Sequence, residues 1–319
     1  MTAPLRRVTL IVPVFNEEGG IGPFLAKVDS VIADLAQVVT FDILFVNDGS
    51  RDATERHVLA EAAKRTDVSL INLSRNFGKE AALIAGLNNA TGDAVIPLDV
   101  DLQDPPEVIH QMIDRWTAGA KVVNARRSRR SGDTWLKAKS ANAFYRIFNA
   151  LSEQPIPRDV GDFRLMDREV VDVINQLGER SRCNKSLFSW VGFETVEVTY
   201  ERPAREIGET RWNYWKLWKL ALDAIFSSST VPLRIWTYFG MMMAVVSLIY
   251  SLFIVAQTVL FGIDVPGYAS TVILILVFGG LNMFALGIIG EYVGRIYTEV
   301  RQRPLYVIRS QHTSAKAEQ

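Results

Sequence analysis

The chain has 319 residues, with 35 Lys and Arg balanced by 35 Asp and Glu, one cysteine and three histidines. That length holds one large α/β domain and something smaller, and a net charge of zero offers no field for nucleic acid. The lone Cys183 excludes an internal disulfide and fits a reducing compartment, while the scattered His57, His110 and His312 give no support to histidine-rich zinc chemistry or a Ser-His-Asp triad.

Met1 to Arg7 lacks the hydrophobic core of a signal peptide, so the first part of the chain is expected to stay in the cytosol. Strands are predicted near 8–14, 42–47, 69–73 and 94–99, and helices near 20–36, 52–64, 79–89 and 106–118. Such alternation predicts a doubly wound, mostly parallel sheet. The strands end in polar or turn residues: the first runs into Pro13-Val14-Phe15-Asn16-Glu17-Glu18, the second into Asn47-Asp48-Gly49-Ser50. Asp48 on the sheet rim can accept a hydrogen bond from uracil N3–H or a ribose hydroxyl; an Asp-Gly turn capping the next helix has the same letters. Neither G-x-x-x-x-G-K-[ST] nor a G-x-G-x-x-G after the first strand is present, which sets aside ATPase and Rossmann dehydrogenase chemistry.

The fourth strand, through Val95-Ile96-Pro97-Leu98, stops at Asp99-Val100-Asp101, followed by Leu102-Gln103-Asp104-Pro105-Pro106. On an extended strand, side chains two apart point the same way, about 6–7 Å apart. Both carboxylates are therefore expected to face one site at the carboxyl edge, where open α/β sheets place ligands. Hard oxygen ligands there suit Mg²⁺ or Mn²⁺ holding a diphosphate. A solvated turn ahead of a helix start at Pro105-Pro106 gives the same pattern.

From Lys121 to Lys139 there are seven Lys and Arg against one Asp. A solvated surface loop and a basic segment that captures an anionic acceptor both fit this run. Further on, Trp215, Trp218, Leu222, Ile225 and Phe226 recur at helical spacing with Lys216, Lys219 and Asp223 opposite. This is the pattern of a helix lying in the headgroup region, although a core-facing helix shares the periodicity. Ile235 to Ile263 and Val265 to Gly290 are uncharged runs of 29 and 26 residues, each longer than the ~20 needed to span a bilayer. Arg234 before them and Arg295, Arg301, Arg303 and Arg309 after them predict a two-helix hairpin with both ends cytoplasmic. The expected organisation is a cytosolic domain over 1–204, a loop and amphipathic helix over 205–232, two spans over 233–294 and a cytosolic tail over 295–319.

Several segments together carry a resemblance: Val12-Pro13-Val14-Phe15-Asn16-Glu17-Glu18, Val46-Asn47-Asp48-Gly49-Ser50, Asn76-Phe77-Gly78-Lys79-Glu80, Asp99 to Pro105, Gly161-Asp162-Phe163-Arg164-Leu165-Met166, Ser189-Trp190-Val191-Gly192, Pro232 to Tyr238 and Gly290 to Arg295. The chain resembles the polyprenyl-phosphate glycosyltransferases of glycosyltransferase family 2, which have a GT-A fold, and within them the bactoprenol glucosyltransferases. The resemblance implies inverting transfer of glucose from UDP-glucose to undecaprenyl phosphate in the bacterial inner membrane, with Mg²⁺ or Mn²⁺. It implies nucleotide contacts at Pro13, Phe15, Glu17, Asp48 and Val100, and metal and diphosphate contacts at Asp99, Asp101 and Gln103. Arg126 matches an arginine that meets the acceptor phosphate, with a second basic contact at Lys137 or Lys139. Arg205, Gly208, Thr210 and Arg211 match a loop that closes over the site, which in the family usually carries serine then lysine in place of Thr210 and Arg211. Asp162 matches a further carboxylate that orients a sugar hydroxyl or the acceptor; a helix cap before Arg164 is its plainer reading. UDP-GlcNAc, GDP-mannose or a UDP-aminoarabinose derivative are the competing donors, and a non-catalytic membrane scaffold is the reading from another class. By analogy a homo-oligomer, a tetramer, is expected.

Overall fold

The computed structural model describes residues 5–128, 160–180, 184–201, 231–262 and 267–313. In chain order these form β1 (Arg6–Val14), α1 (Ile21–Leu35), β2 (Val39–Asn47), α2 (Thr54–Ala62), β3 (Val68–Leu73), α3 (Lys79–Asn89), β4 (Ala94–Pro97), α4 (Val108–Thr117), β5 (Val122–Arg127) and β6 (Val160–Asp167). They continue with α5 (Arg168–Gln176), α6 (Asn184–Trp190), β7 (Thr195–Tyr200), α7 (Val231–Phe261), α8 (Tyr268–Val300) and β8 (Ile308–His312). The described residues up to 201 and from 303 onward belong to one compact unit, and α7 and α8 to another.

The sheet has eight strands in the order β7-β5-β6-β4-β1-β2-β3-β8. β4, β1, β2 and β3 are mutually parallel. Both faces of a parallel sheet are covered by helices, so its strands are apolar throughout. Alternate residues of β1 accordingly feed two cores. Val8, Leu10 and Val12 join Phe24 and Val28 of α1 and Trp116 of α4 on one face. Ile11 joins Leu83 and Leu87 of α3 and Val171 of α5 on the other.

The flank beyond β4 is of another kind. β6 runs antiparallel to both β4 and β5, and β7 pairs parallel to β5. At its far end Asp167 caps α5, accepting from the Glu169 N–H at 3.2 Å, and also accepts from Trp116 Nε1 at 2.8 Å.

The stretch after the second apolar run, expected to be a tail, contributes an edge strand. β8 pairs antiparallel with β3, Leu305, Tyr306 and Ile308 pack on the second core, and Asn72 Nδ2 donates to Ser310 Oγ at 3.0 Å. Its sequence, Ile308-Arg309-Ser310-Gln311-His312, has no apolar alternation to announce a strand, because only its pairing edge is engaged.

In the other unit, Ile235–Phe261 and Val277–Val300 are long and apolar enough to cross a membrane, with mean hydropathies of 2.3 and 1.3 and none of either window buried. A core helix of a soluble protein would bury such a surface. α8 outruns the uncharged stretch that ends at Gly290, continuing through an ion pair of Glu291 with Arg295 at 2.9 Å. The amphipathic stretch at 211–226 lies outside the described residues.

Candidate active site

The carboxyl edge of the parallel strands is knitted together before any ligand is considered. Asn16, just past β1, has φ 56, the left-handed conformation that asparagine tolerates better than most residues. Its N–H donates to Ser50 Oγ at 3.0 Å and its Oδ1 accepts from the Arg51 N–H at 2.9 Å, joining the exits of β1 and β2. Gly49 has φ 70, and a Cβ there would lie 2.5 Å from the Arg75 carbonyl carbon. Only glycine allows the β2 exit to pass under the β3 exit this closely.

Asp48 exploits that approach. It is 3% exposed, and its two carboxylate oxygens accept the Phe77 and Gly78 N–H groups at 2.7 and 2.9 Å. Burial raises its pKa, opposed by those two amides and by Arg75. Asp48 thus fixes the loop that starts α3, whose first residue is Lys79. Pro13 lines the cleft, whereas Phe15 is 44% exposed and Glu17 is exposed at the β1 exit.

The strand pairing explains the next step. β4 and β6 pair with Ala94 opposite Asp167 and Val95 opposite Met166. Continued past the last residue of β4, that register sets Asp99 opposite Asp162. Lys79 Nζ lies between them, 2.7 Å from Asp99 Oδ2 and 3.1 Å from Asp162 Oδ2. Burial works against the Lys79 ammonium, but the two carboxylates outweigh it and raise its pKa. Burial pushes the Asp99 carboxyl up against the pull of Lys79. These three side chains, with Pro13, Pro97 and Asp104, line a small cleft.

Strand alternation predicts Asp99 and Asp101 side by side on an extended strand. The structure corrects this: β4 ends at Pro97, Val100 and Asp101 lie in a turn, and Leu102 has φ 53. Turn geometry, not strand alternation, sets the two carboxylates. Asp101 is exposed and its Oδ1 accepts the Gln103 N–H at 3.2 Å, while Val100 and Gln103 are buried. Arg126, on β5, is half exposed and pairs with Glu197 of β7 at 3.0 Å. Lys137, Lys139, Arg205, Gly208, Thr210 and Arg211 lie outside the described residues. The sequence motifs assign Lys79 no role, although a lysine directly after the Gly78 helix start, at a strand exit, is the available signal.

A mostly parallel sheet with a cleft at its carboxyl edge, followed by two long apolar helices, defines an α/β ligand-binding fold joined to a membrane-associating element. Residues 9–174 match glycosyl transferase family 2, and residues 231–296 match the GtrB C-terminal hairpin. The chain is 48% identical over 306 residues to a SfII prophage-derived bactoprenol glucosyl transferase of Shigella flexneri, covering 96% of this chain and 98% of that one. It is 47% identical over 301 residues to an uncharacterised glycosyltransferase of Synechocystis, covering 94% of each. A mannosyltransferase from Pyrobaculum calidifontis is similar over 94% of this chain and 87% of that one, at 16% identity and a TM-score of 0.48. The chain belongs to glycosyl transferase family 2: it is a glycosyltransferase with a GT-A fold and a membrane-associating C-terminal hairpin.

Proposed function

We propose that this enzyme transfers glucose from UDP-glucose to undecaprenyl phosphate at the cytosolic face of the bacterial inner membrane, inverting the anomeric carbon. The observation that carries the reading is near-full-length identity, 48% over 96% of the chain, with a bactoprenol glucosyl transferase, spanning catalytic unit and hairpin alike.

Asp99, Asp101 and Gln103 would hold a Mg²⁺ or Mn²⁺ ion. Their oxygens are hard donors, and Asp99 already draws an ammonium to 2.7 Å. Two carboxylates and an amide oxygen would leave the remaining positions of such an ion to phosphate oxygens and water. When bound, such an ion neutralises charge growing on the leaving diphosphate.

The acceptor phosphate is mostly dianionic at neutral pH, its second pKa being about 6. Its oxygen attacks C1 as the bond from C1 to UDP breaks, and the electron pair leaves with the β-phosphate. No proton has to be removed from the nucleophile, so no catalytic histidine is required. Lys79 supplies a fixed positive charge beside the leaving group. Asp162 orients a sugar hydroxyl or the acceptor, and Arg126, Lys137, Arg205, Thr210 and Arg211 supply contacts to phosphate groups. The hairpin holds enzyme and lipid acceptor in one plane, which raises their effective concentration.

The test is a transfer assay on detergent-purified protein with undecaprenyl phosphate, Mg²⁺ and a panel of labelled sugar nucleotides, reading label in the lipid phase. Label from UDP-glucose alone, lost with EDTA, is the expected result. Label from UDP-GlcNAc, GDP-mannose or an aminoarabinose donor instead would keep the reaction and replace the sugar. No label from any donor would overturn the reading.

A further inference from the structure

The loop that carries Asp101 and Gln103 ends in a buried carboxylate for which the reaction has no use. Asp104 is 4% exposed, and charged groups survive at that depth when they are paired and hydrogen-bonded. Its partners come from two strands far along the chain. Tyr200 Oη, at the end of β7, donates to Asp104 Oδ1. Arg127 Nη2, at the end of β5, donates to the same oxygen at 3.3 Å, and Arg127 Nε donates to Tyr200 Oη at 3.1 Å. The three side chains close a ring of hydrogen bonds.

That ring is braced on both sides. Tyr200 packs edge-on against Phe163 of β6, with centroids 6.1 Å apart and planes at 83°. The Ser128 N–H donates to the Tyr200 carbonyl at 2.9 Å, closing the corner between β5 and β7. Burial raises the Tyr200 pKa, with the Asp104 charge adding to it, so the phenol remains a donor at neutral pH.

Stability alone does not call for this arrangement, since buried ionic groups can often be replaced by apolar side chains of similar volume without loss. What it adds is a fixed direction. The segment between Asp101 and Gln103 turns through Leu102 at φ 53, a conformation that leucine does not favour. Gln103 is buried and Asp104 is tied to β5 and β7, so the far end of the turn cannot relax.

We propose that Asp104, Tyr200 and Arg127 are positioning residues that clamp the Asp99–Gln103 loop in the shape that accepts the metal-bound diphosphate of the donor. The inference rests on the reading of Asp99, Asp101 and Gln103 given above, and the experiment separates the two.

Tyr200→Phe keeps the ring against Phe163 and removes the hydrogen bond to Asp104. The full-length variant in detergent is titrated with UDP in the presence of Mn²⁺ and, separately, with uridine. The expected result is a Kd for Mn²⁺-dependent UDP binding weakened roughly tenfold, the size of one hydrogen bond to a charged group, with the uridine Kd unchanged. A merely structural role would reduce the number of competent sites for both ligands and leave each Kd alone. Arg127→Lys, which keeps the charge but loses the fork, reads the same effect should Tyr200→Phe not fold. The double variant Tyr200→Phe with Asp104→Asn is expected to be no worse than Asp104→Asn alone. Asp101→Ala is the reference. If it loses Mn²⁺-dependent binding while Tyr200→Phe and Arg127→Lys keep the wild-type Kd, the clamp is overturned and the site stands. If Asp101→Ala itself binds like the wild type, the reading of the site falls and the clamp falls with it.

Discussion

The parallel half of the sheet and its antiparallel flank contribute to the cleft in opposite ways. β1, β2 and β4 all leave the sheet at the carboxyl edge, so Asn16, Asp48 and Asp99 sit on successive exits of strands that run together. β6 runs the other way and delivers Asp162 from its beginning. In the parallel half the polar groups are held by backbone amides and neighbouring loops, as Asp48 is by Phe77 and Gly78. Where the parallel half meets the flank they are held by side chains from the flank's strands, as Asp104 of the β4–α4 loop is by Tyr200 and Arg127. The cleft is a seam between the two, and Lys79 is the stitch, touching Asp99 from one side and Asp162 from the other. The proposed function assigns donor binding to the parallel half and the direction of its reaction to the flank.

The widest separation between the halves should come from their carboxylates. Asp99→Ala and Asp101→Ala are expected to lower kcat/KM about a thousandfold and to abolish Mn²⁺-dependent UDP binding, because charge on the leaving diphosphate goes uncompensated. Asp162→Asn is expected to lower kcat about a hundredfold while the Kd for UDP with Mn²⁺ stays at the wild-type value. Equal loss of donor binding in Asp162→Asn would erase the division of labour. Lys79→Met belongs to both halves, and steady-state kinetics should show it raising KM for the donor as well as lowering kcat.

A smaller effect tests how the parallel half is built. In Asp48→Ala two amides at the start of α3 lose their acceptor, which costs about 1–3 kcal/mol for a buried donor left unmade. Urea unfolding followed by tryptophan fluorescence should show a loss in that range, and activity should fall with it because Lys79 is no longer held. Full activity at reduced stability would mean that the loop is fixed by something other than Asp48.

The two halves were also unequally legible in the sequence. Continuous apolar runs bounded by turn residues marked β1 to β4, and the helices between them were readable to within a few residues. Antiparallel β6 carries Arg164 in a strand that is nearly all buried, so neither alternation nor an apolar run announced it. The Asp99-Val100-Asp101 triplet pointed to the site, but its geometry depends on the turn at Leu102, whose positive φ no local pattern implies. Lys79 gains its meaning only when the register of β4 on β6 sets Asp162 opposite Asp99, and such pairings are long-range. β8 was invisible for the related reason that it is polar and defined by its partner, β3.

The smallest predicted effect comes from the opposite edge of the same sheet, where charges serve the fold and not the reaction. Arg65 holds Asp67 through two hydrogen bonds, from Nε at 3.0 Å and Nη2 at 2.7 Å, and reaches Asp29 from Nη1 at 2.9 Å. The guanidinium lowers the Asp67 pKa below its ordinary value of 3.8. A carboxyl whose pKa is depressed by folding stabilises the folded state above its unfolded pKa, and that contribution fades as pH falls through the folded value. Arg65→Met should therefore cost roughly 0.5–1 kcal/mol at pH 6, as expected of a partly exposed pair. The gap from the wild type should narrow as urea titrations are carried from pH 5 down to pH 3. Transfer activity at neutral pH should not change, because none of these groups reaches the cleft. A gap that stayed constant with pH would assign the loss to the packing of the Arg65 stem, and a fall in activity would connect the two edges of the sheet.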